Sequence, residues 1–264
     1  MTEIINSQLD KSLIKNLLQL LEVCVNEASK NKKKEIFIKP DNTIVTNTDK
    51  NIHKIICNRL LYLYPSIPVI SEEGSFNNNS FLNNIYWLID PLDGTSSFVK
   101  GGSGYTINIA LIKDGYPCLG LIAHPPSRTI WYGSINKAFV IKNKKKYKLA
   151  VRNIDKKNIT IVTSKNLDHA TKKFIKRFIG AKVRSFSSSI KFCKLAEGKA
   201  DIYPRLESIS KWDIAAGDAI LRASGGILIN NKGEEYKYNT ASSKSGEFFA
   251  LSTIFILKDY NFLN

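Results

Sequence analysis

The sequence predicts a mixed fold of class α+β/α/β: α+β in its first half, α/β in its second. Two observations carry this. Between 105 and 142, four short apolar runs (105–113, 118–124, 129–134 and 138–142) follow one another, each bounded by Gly, Pro, Asn or Asp, as in an antiparallel sheet. From 159 onward, strand-like and helix-like runs alternate, the pattern of layered α/β structure. With 264 residues and 43% apolar content, the chain can build one large domain or two modest ones around a packed core. A boundary is expected in the basic polar stretch 143–158, dividing an α+β unit over 1–150 from an α/β unit over 151–264.

The elements follow from local pattern. Leu9, Leu13, Leu17, Leu20 and Leu21 recur at helical spacing, so residues 8 to about 30 form an amphipathic helix. Pro40 and Asn42 mark a turn. A second helix carries Ile52, Ile55, Ile56 and Leu60 on one face, and Thr48 or Asp49 can cap it. After Pro65 and Pro68, Val69-Ile70 is a short strand that runs into Ser71-Glu72-Glu73-Gly74. Residues 77–84 form a polar loop. A buried strand over 85–89 follows, then a glycine-rich turn at Gly101-Gly102-Ser103-Gly104 that lacks the Lys-Ser/Thr ending of a P-loop. The second half reads as strands at 159–163, 182–186, 201–203, 227–229 and 248–251, with helices at 168–178, 188–197 and 213–223.

Composition excludes several classes. The 39 Lys and Arg against 23 Asp and Glu give a net charge of +16. The basic residues form only short runs, Lys32-Lys33-Lys34 and Lys144-Lys145-Lys146, so weak attraction to acidic surfaces is expected and specific nucleic-acid binding is not. Cys24, Cys57, Cys118 and Cys193 form no Cys-x-x-Cys pair, which argues against zinc. Three of them lie in apolar stretches and read as reduced core residues, which fits a cytoplasmic protein. Glu3, Asp10 and Lys11 interrupt the N-terminus, so no signal peptide is expected, and no run approaches the ~20 apolar residues of a membrane span.

The chemistry concentrates where the 85–89 strand ends, at Asp90-Pro91-Leu92-Asp93-Gly94-Thr95. Pro91 cannot extend a sheet ladder, Gly94 permits a tight turn, and Thr95 and Ser96 can open a helix. Two carboxylates beside a helix start suit a hard cation and the phosphate it acts on. The same pentapeptide is also a plain turn needing no ligand. Glu72 likewise stands at a strand end beside a glycine. Asp213, in Trp212-Asp213-Ile214-Ala215-Ala216-Gly217, reads locally as a helix cap, and its small neighbours imply close helix packing.

Taken in order, Thr46-Asn47-Thr48-Asp49, Ser71-Glu72-Glu73-Gly74, Asp90-Pro91-Leu92-Asp93-Gly94-Thr95 and Trp212-Asp213-Ile214-Ala215-Ala216-Gly217 resemble the magnesium-dependent inositol monophosphatase superfamily over nearly the whole chain. The segment 186–198 and Tyr203-Pro204-Arg205 resemble its 3′(2′),5′-bisphosphate nucleotidase branch. The chain departs from the pattern at Gly74, where a further acid is common, and after the strand matching 159–164, where the branch often has a His and this chain has Leu167 nearby, with His169 two residues on.

The resemblance implies a layered α-β-α-β-α sandwich of the inositol monophosphatase/fructose-1,6-bisphosphatase type. It implies two or three Mg²⁺ ions on Glu72, Asp90, Asp93, Asp213 and the Leu92 carbonyl. Most of these ligands come from the first unit, and Asp213 comes from the second with the substrate-side residues. Catalytic roles fall on Asp49 and Thr95, which would orient and deprotonate a water, with Glu72 sharing the task. Substrate contacts fall on Glu72, Leu92, Asp93, Gly94, Thr95, Ser188, Lys191, Arg205 and Asp213. Lys191 and Arg205 supply positive charge for a second phosphate. The implied activity is magnesium-dependent removal of the 3′-phosphate from 3′-phosphoadenosine 5′-phosphate, a step of sulfur metabolism, with 3′-phosphoadenylyl sulfate as a further substrate. Two readings stay open beside it: an inositol or sugar monophosphatase with the same metal site, and a non-catalytic anion- or membrane-surface-binding protein. The basic charge also permits peripheral contact with an anionic membrane on its cytoplasmic face. Oligomeric state is left undetermined.

Overall fold

The computed structural model describes residues 8–30, 34–135, 137–155 and 157–254. Glu3, Lys32, Lys33 and the side chains of Leu9 and Asp10 lie outside them. Five layers stack in the order α-β-α-β-α, as the resemblance implied. The first contains α1 (Gln8–Lys30) and α2 (Asn47–Leu63). Their stripes, Leu17, Leu21 and Cys24 on one and Ile52, Ile56 and Leu60 on the other, are buried together. They lie against Trp87, Ile89, Ile107, Ile109 and Leu121 on one face of a seven-stranded sheet.

That sheet runs in strand order β3 (Val69–Ser71), β4 (Ile85–Asp93), β5 (Thr106–Lys113), β6 (Tyr116–His124), β7 (Thr129–Ser134), β8 (Lys137–Lys142) and β9 (Lys145–Leu149). Only β3 and β4 pair in parallel; the remaining neighbours are antiparallel. Alternate residues of β4 face opposite layers: Trp87 and Ile89 join the α1–α2 core, Tyr86 and Leu88 the core on the other side.

The central layer is α5 (Ile190–Ala196) and α6 (Ala215–Ala223), sandwiched between the two sheets. The small residues of α6 have the close-packing role expected of them. A Cβ at Gly120 of β6 would stand 2.3 Å from the Ala216 carbonyl, and one at Gly217 would stand 2.4 Å from the Phe192 ring. Beyond lies a five-stranded sheet in order β11 (Lys182–Ser185), β10 (Thr160–Thr163), β12 (Ile202–Arg205), β14 (Phe248–Leu251), β13 (Ile227–Asn230). Its far face packs Ile161, Ile202 and Phe249 against Phe174 of α4 (His169–Ile175), the fifth layer.

Four local features differ from expectation. The cap of α2 is Thr46, not Thr48 or Asp49; Asp49 is the third helical residue and closes a capping box with Thr46. Residues 77–84 are not a plain loop: they hold a 3₁₀ turn, Asn78–Leu82, that inserts the fully buried Phe81 edge-on against Tyr86. A short strand β1 (Ile36–Ile38) pairs with β2 (Ile44–Thr46) across the turn at Pro40 and Asn42. The basic stretch 143–158 begins with a strand, β9, reached through a two-residue turn in which Asn143 (φ 51°) and Lys144 (φ 61°) are both left-handed.

Candidate active site

The carboxylates meet at the end of β4, where the ladder slips. Asp90 faces Asn108 on β5, while Asp93 faces Thr106, so three steps on β4 oppose two on β5. The bulge contains Pro91, which has no N–H to give the ladder, and Leu92, whose N–H turns back to Asp90 Oδ1 at 3.0 Å. Asp90 and Asp93 are thereby aimed the same way. Asp213 arrives from the 3₁₀ turn Lys211–Asp213 that precedes α6. One carboxylate oxygen from each of Asp90, Asp93 and Asp213 lies within 4.8 Å of the others.

Three acids this close oppose one another. Two like charges ~4 Å apart repel by about 4 kcal/mol at an effective dielectric of 20. Burial first, then the charges of Glu72, Asp93 and Asp213, push the Asp90 carboxyl well above its ordinary range. Asp213 is pushed well up by burial and then by Asp93 and Glu72. Burial raises Asp93 too, against the pull of Lys191. The donor set is all oxygen with an excess of negative charge, so it fits a hard divalent cation.

Glu72 approaches from the end of β3, with its N–H on the Ile89 carbonyl at 3.1 Å. Its Oε1 accepts from Lys39 Nζ at 3.1 Å, and Glu73 accepts from the same ammonium at 2.6 Å. On the other flank, Thr95 Oγ1 lies 2.9 Å from Asp49 Oδ1 and 3.0 Å from the Leu92 carbonyl. Asp49 Oδ2 accepts the Thr46 N–H at 2.8 Å, which locks the carboxylate in place. Gly94 caps the short helix α3 (Thr95–Val99) with φ 94°. A Cβ there would be 2.4 Å from the Gly104 carbonyl and 2.6 Å from Ser188 Oγ, so only glycine fits.

The second half contributes a run of serines. Ser188 Oγ donates toward the carbonyls of Asp93 (3.0 Å) and Gly104 (2.9 Å). Ser189 Oγ lies 2.8 Å from the Asp213 carbonyl and 3.2 Å from Asp93 Oδ2, and accepts from Asn108 Nδ2 at 2.9 Å. Lys191 is 5% exposed, and its Nζ donates to the carbonyls of Ser188 (2.6 Å) and Phe186 (3.3 Å). Burial brings its ammonium down to about 8, against the upward pull of Asp93. Arg205 reaches the Glu207 carbonyl (3.2 Å), its carboxylate (3.1 Å) and Ser164 Oγ (3.4 Å).

The structure therefore brings Asp49, Glu72, Asp90, Leu92, Asp93, Gly94, Thr95, Ser188 and Asp213 to one locus. Lys191 stands beneath it, tied to the 186–188 turn, and Arg205 is engaged by Glu207 at the end of β12. Lys39, Asn108 and Ser189 also stand at this locus and were given no role from sequence, and Thr46 entered only as the first residue of Thr46-Asn47-Thr48-Asp49. Asn108 had a signal, a polar residue inside the apolar run 105–113; Lys39 had none.

Comparison with known proteins gives consistent matches. The model of the inositol monophosphatase family matches residues 5–248. The 3′(2′),5′-bisphosphate nucleotidase CysQ of Buchnera aphidicola is 36% identical over 214 residues, covering 80% of each chain. CysQ of Escherichia coli K12 is 32% identical over 220 residues, covering 83% of this chain and 89% of that one. The crystal structure of CysQ from Bacteroides thetaiotaomicron superimposes with a TM-score of 0.76 at 28% identity, covering 89% of this chain and 93% of that one.

Proposed function

The chain belongs to the inositol monophosphatase family, and from that premise we propose that it is a 3′(2′),5′-bisphosphate nucleotidase, a phosphoric monoester hydrolase that converts 3′-phosphoadenosine 5′-phosphate to AMP and phosphate. The CysQ relatives at 32–36% identity support the substrate class. The observation that carries the chemistry is the convergence of Asp90, Asp93 and Asp213 within 4.8 Å, with the Asp49–Thr95 pair on their flank.

Asp90, Asp93, Asp213 and Glu72, with the Leu92 carbonyl, would hold two or three Mg²⁺ ions. When bound, such ions neutralise phosphate charge, acidify a water and stabilise the leaving oxygen. The chain's own residues supply the rest. Asp49 would accept a proton through the Thr95 hydroxyl, a role its 2.9 Å contact with Thr95 Oγ1 supports. The Gly94 and Thr95 N–H groups would hold phosphate oxygens at the start of α3. Ser189 fixes Asp93 and Asp213 against each other. Lys191 and Ser188 shape the substrate side together with Arg205, which can grip a second phosphate only after turning from Glu207. No covalent phosphoenzyme is invoked. In this reading residues 1–150 carry most metal ligands and 151–264 carry Asp213 and the substrate side. Peripheral contact with an anionic membrane has the +16 charge as its support.

The test is phosphate release from 3′-phosphoadenosine 5′-phosphate and from inositol 1-phosphate, each with Mg²⁺ and with EDTA. Magnesium-dependent preference for the nucleotide supports the proposal. Preference for inositol 1-phosphate retains the metal site and discards the nucleotide pocket. No release from either sinks both.

A further inference from the structure

A second feature of this molecule lies outside the carboxylate cluster. A cleft of about 870 Å³ opens where the edges of the two sheets face each other, between β7–β9 on one side and β11 and α5 on the other. Lys142, Lys165, Lys194 and Lys199 converge on it. Its acidic lining residue is Glu197, already satisfied: Lys199 reaches it at 2.6 Å, Lys194 at 3.3 Å and the Trp131 indole N–H at 2.7 Å. Among the described residues Lys142 and Lys165 have no acidic partner. The cleft thus has a net charge of +3: four lysines less one glutamate.

Its walls are not simply polar. Phe186, Tyr147, Leu149, Val140 and Ile190 line it, and Tyr147, on the edge strand β9, is 53% exposed. Lys194 Nζ lies 5.6 Å from the Phe186 ring centroid and 6.0 Å from that of Trp131, so cationic and aromatic surfaces alternate. A second copy of this chain is a poor occupant, because it would bring the same four lysines against themselves.

We propose that this cleft is a binding site for an organic phosphate or sulfate that carries a flat ring, distinct from the carboxylate site. The lysines take the anionic group, and Phe186 and Tyr147 take the ring. The two sites touch through one wall. Gly104 and Ser187 line the cleft, and Gly104 also accepts from Ser188 Oγ, which holds the Asp93 carbonyl. An occupant of the cleft therefore presses on the turn that supports the metal ligands without entering their space.

Equilibrium dialysis of adenosine 5′-phosphate against the full chain in EDTA and low salt tests this, because the bare acids repel anions and leave the cleft as the attractive locus. One molecule bound per chain is expected. Lys142→Glu with Lys165→Glu, both exposed side chains, should weaken binding by about tenfold or more. Ribose 5-phosphate should bind about tenfold more weakly for want of a ring. Lys191→Ala, beneath the carboxylates, should leave this binding unchanged. Four results would overturn the proposal: no saturable binding, binding that survives the double charge reversal, binding that ribose 5-phosphate matches, or a dimer that dissociates on the same reversal. None of these outcomes depends on whether the chain hydrolyses 3′-phosphoadenosine 5′-phosphate.

Discussion

Thr95 Oγ1 lies 2.9 Å from Asp49 Oδ1, which ties the start of α3 to the first turn of α2 at the rim of the acidic cluster. The two residues are 46 positions apart; Asp49 also accepts from the Thr46 hydroxyl through its other oxygen, and Thr95 Oγ1 also reaches the Leu92 carbonyl. If the pair moves a proton, Thr95→Ala and Asp49→Asn should each lower kcat by about 10²–10⁴-fold with little change in KM. The double variant should be hardly worse than either single one, because the two act as one unit. Thr95→Ser retains the hydroxyl and should keep most activity. Independent, multiplicative losses would separate the roles.

The proposed metal ligands make an opposite pair of stability predictions. Asp90 is 1% exposed and its carboxyl is raised by burial and by its acidic neighbours. In EDTA, ionised Asp90 therefore opposes folding. Asp90→Asn should raise the metal-free Tm by about 3 °C, and this gain should grow as pH rises through the elevated carboxyl range. With millimolar Mg²⁺ the wild type should be stabilised by mass action and the variant much less. Asp93→Asn should keep the fold by circular dichroism and lose nearly all turnover; a wild-type rate would remove Asp93 from the metal site.

Much of this site was legible because its parts are local. Asp90, Pro91, Asp93 and Gly94 announce a strand that ends in a turn, and the bulge that the structure shows is the physical outcome of a proline with no N–H. Asp213 was different. By local pattern it was only a cap, and its place beside Asp90 was implied by resemblance alone. Ser189 and Asn108 escaped notice because their hydrogen bond spans 81 positions and no periodicity records it. Strand β9 escaped for another reason: Lys145, Lys146, Tyr147 and Lys148 are exposed on both faces of an edge strand, so no alternation marks them. Asp49 was identified but given the wrong local role, since the capping hydroxyl belongs to Thr46.

Lys191 gives a specificity prediction. Its ammonium is held by the Ser188 and Phe186 carbonyls, 5.2 Å from the Tyr203 ring centroid, and feels Asp93. Lys191→Ala should raise KM for 3′-phosphoadenosine 5′-phosphate more than for a nucleoside 3′-monophosphate, because only the former presents a second phosphate. Lys191→Arg should not restore it, since the buried seat fits a compact ammonium and not a planar fork. Steady-state kinetics on both substrates decide this; equal rises in KM would assign Lys191 to the turn and not to the phosphate.

Lys211 carries the last prediction, on stability. It is fully buried, and its ammonium donates to the Tyr238 carbonyl (3.1 Å), the Thr240 carbonyl (2.8 Å) and Thr240 Oγ1 (2.7 Å), with no acid among these partners. Burial lowers it to about 8, against an ordinary value of 10.5. Between those pH values the unfolded chain holds a proton that the native chain has given up. Native stability must therefore rise as pH climbs through this window, by as much as about 3 kcal/mol when the group is neutral in the fold. Lys211→Met lacks the titration. Urea unfolding of both proteins at pH 7 and pH 10 should show the wild type gaining on the variant at the higher pH. A difference that stays constant, or reverses, would mean that the three acceptors keep the ammonium charged throughout, and the cost of its burial is already met by their hydrogen bonds.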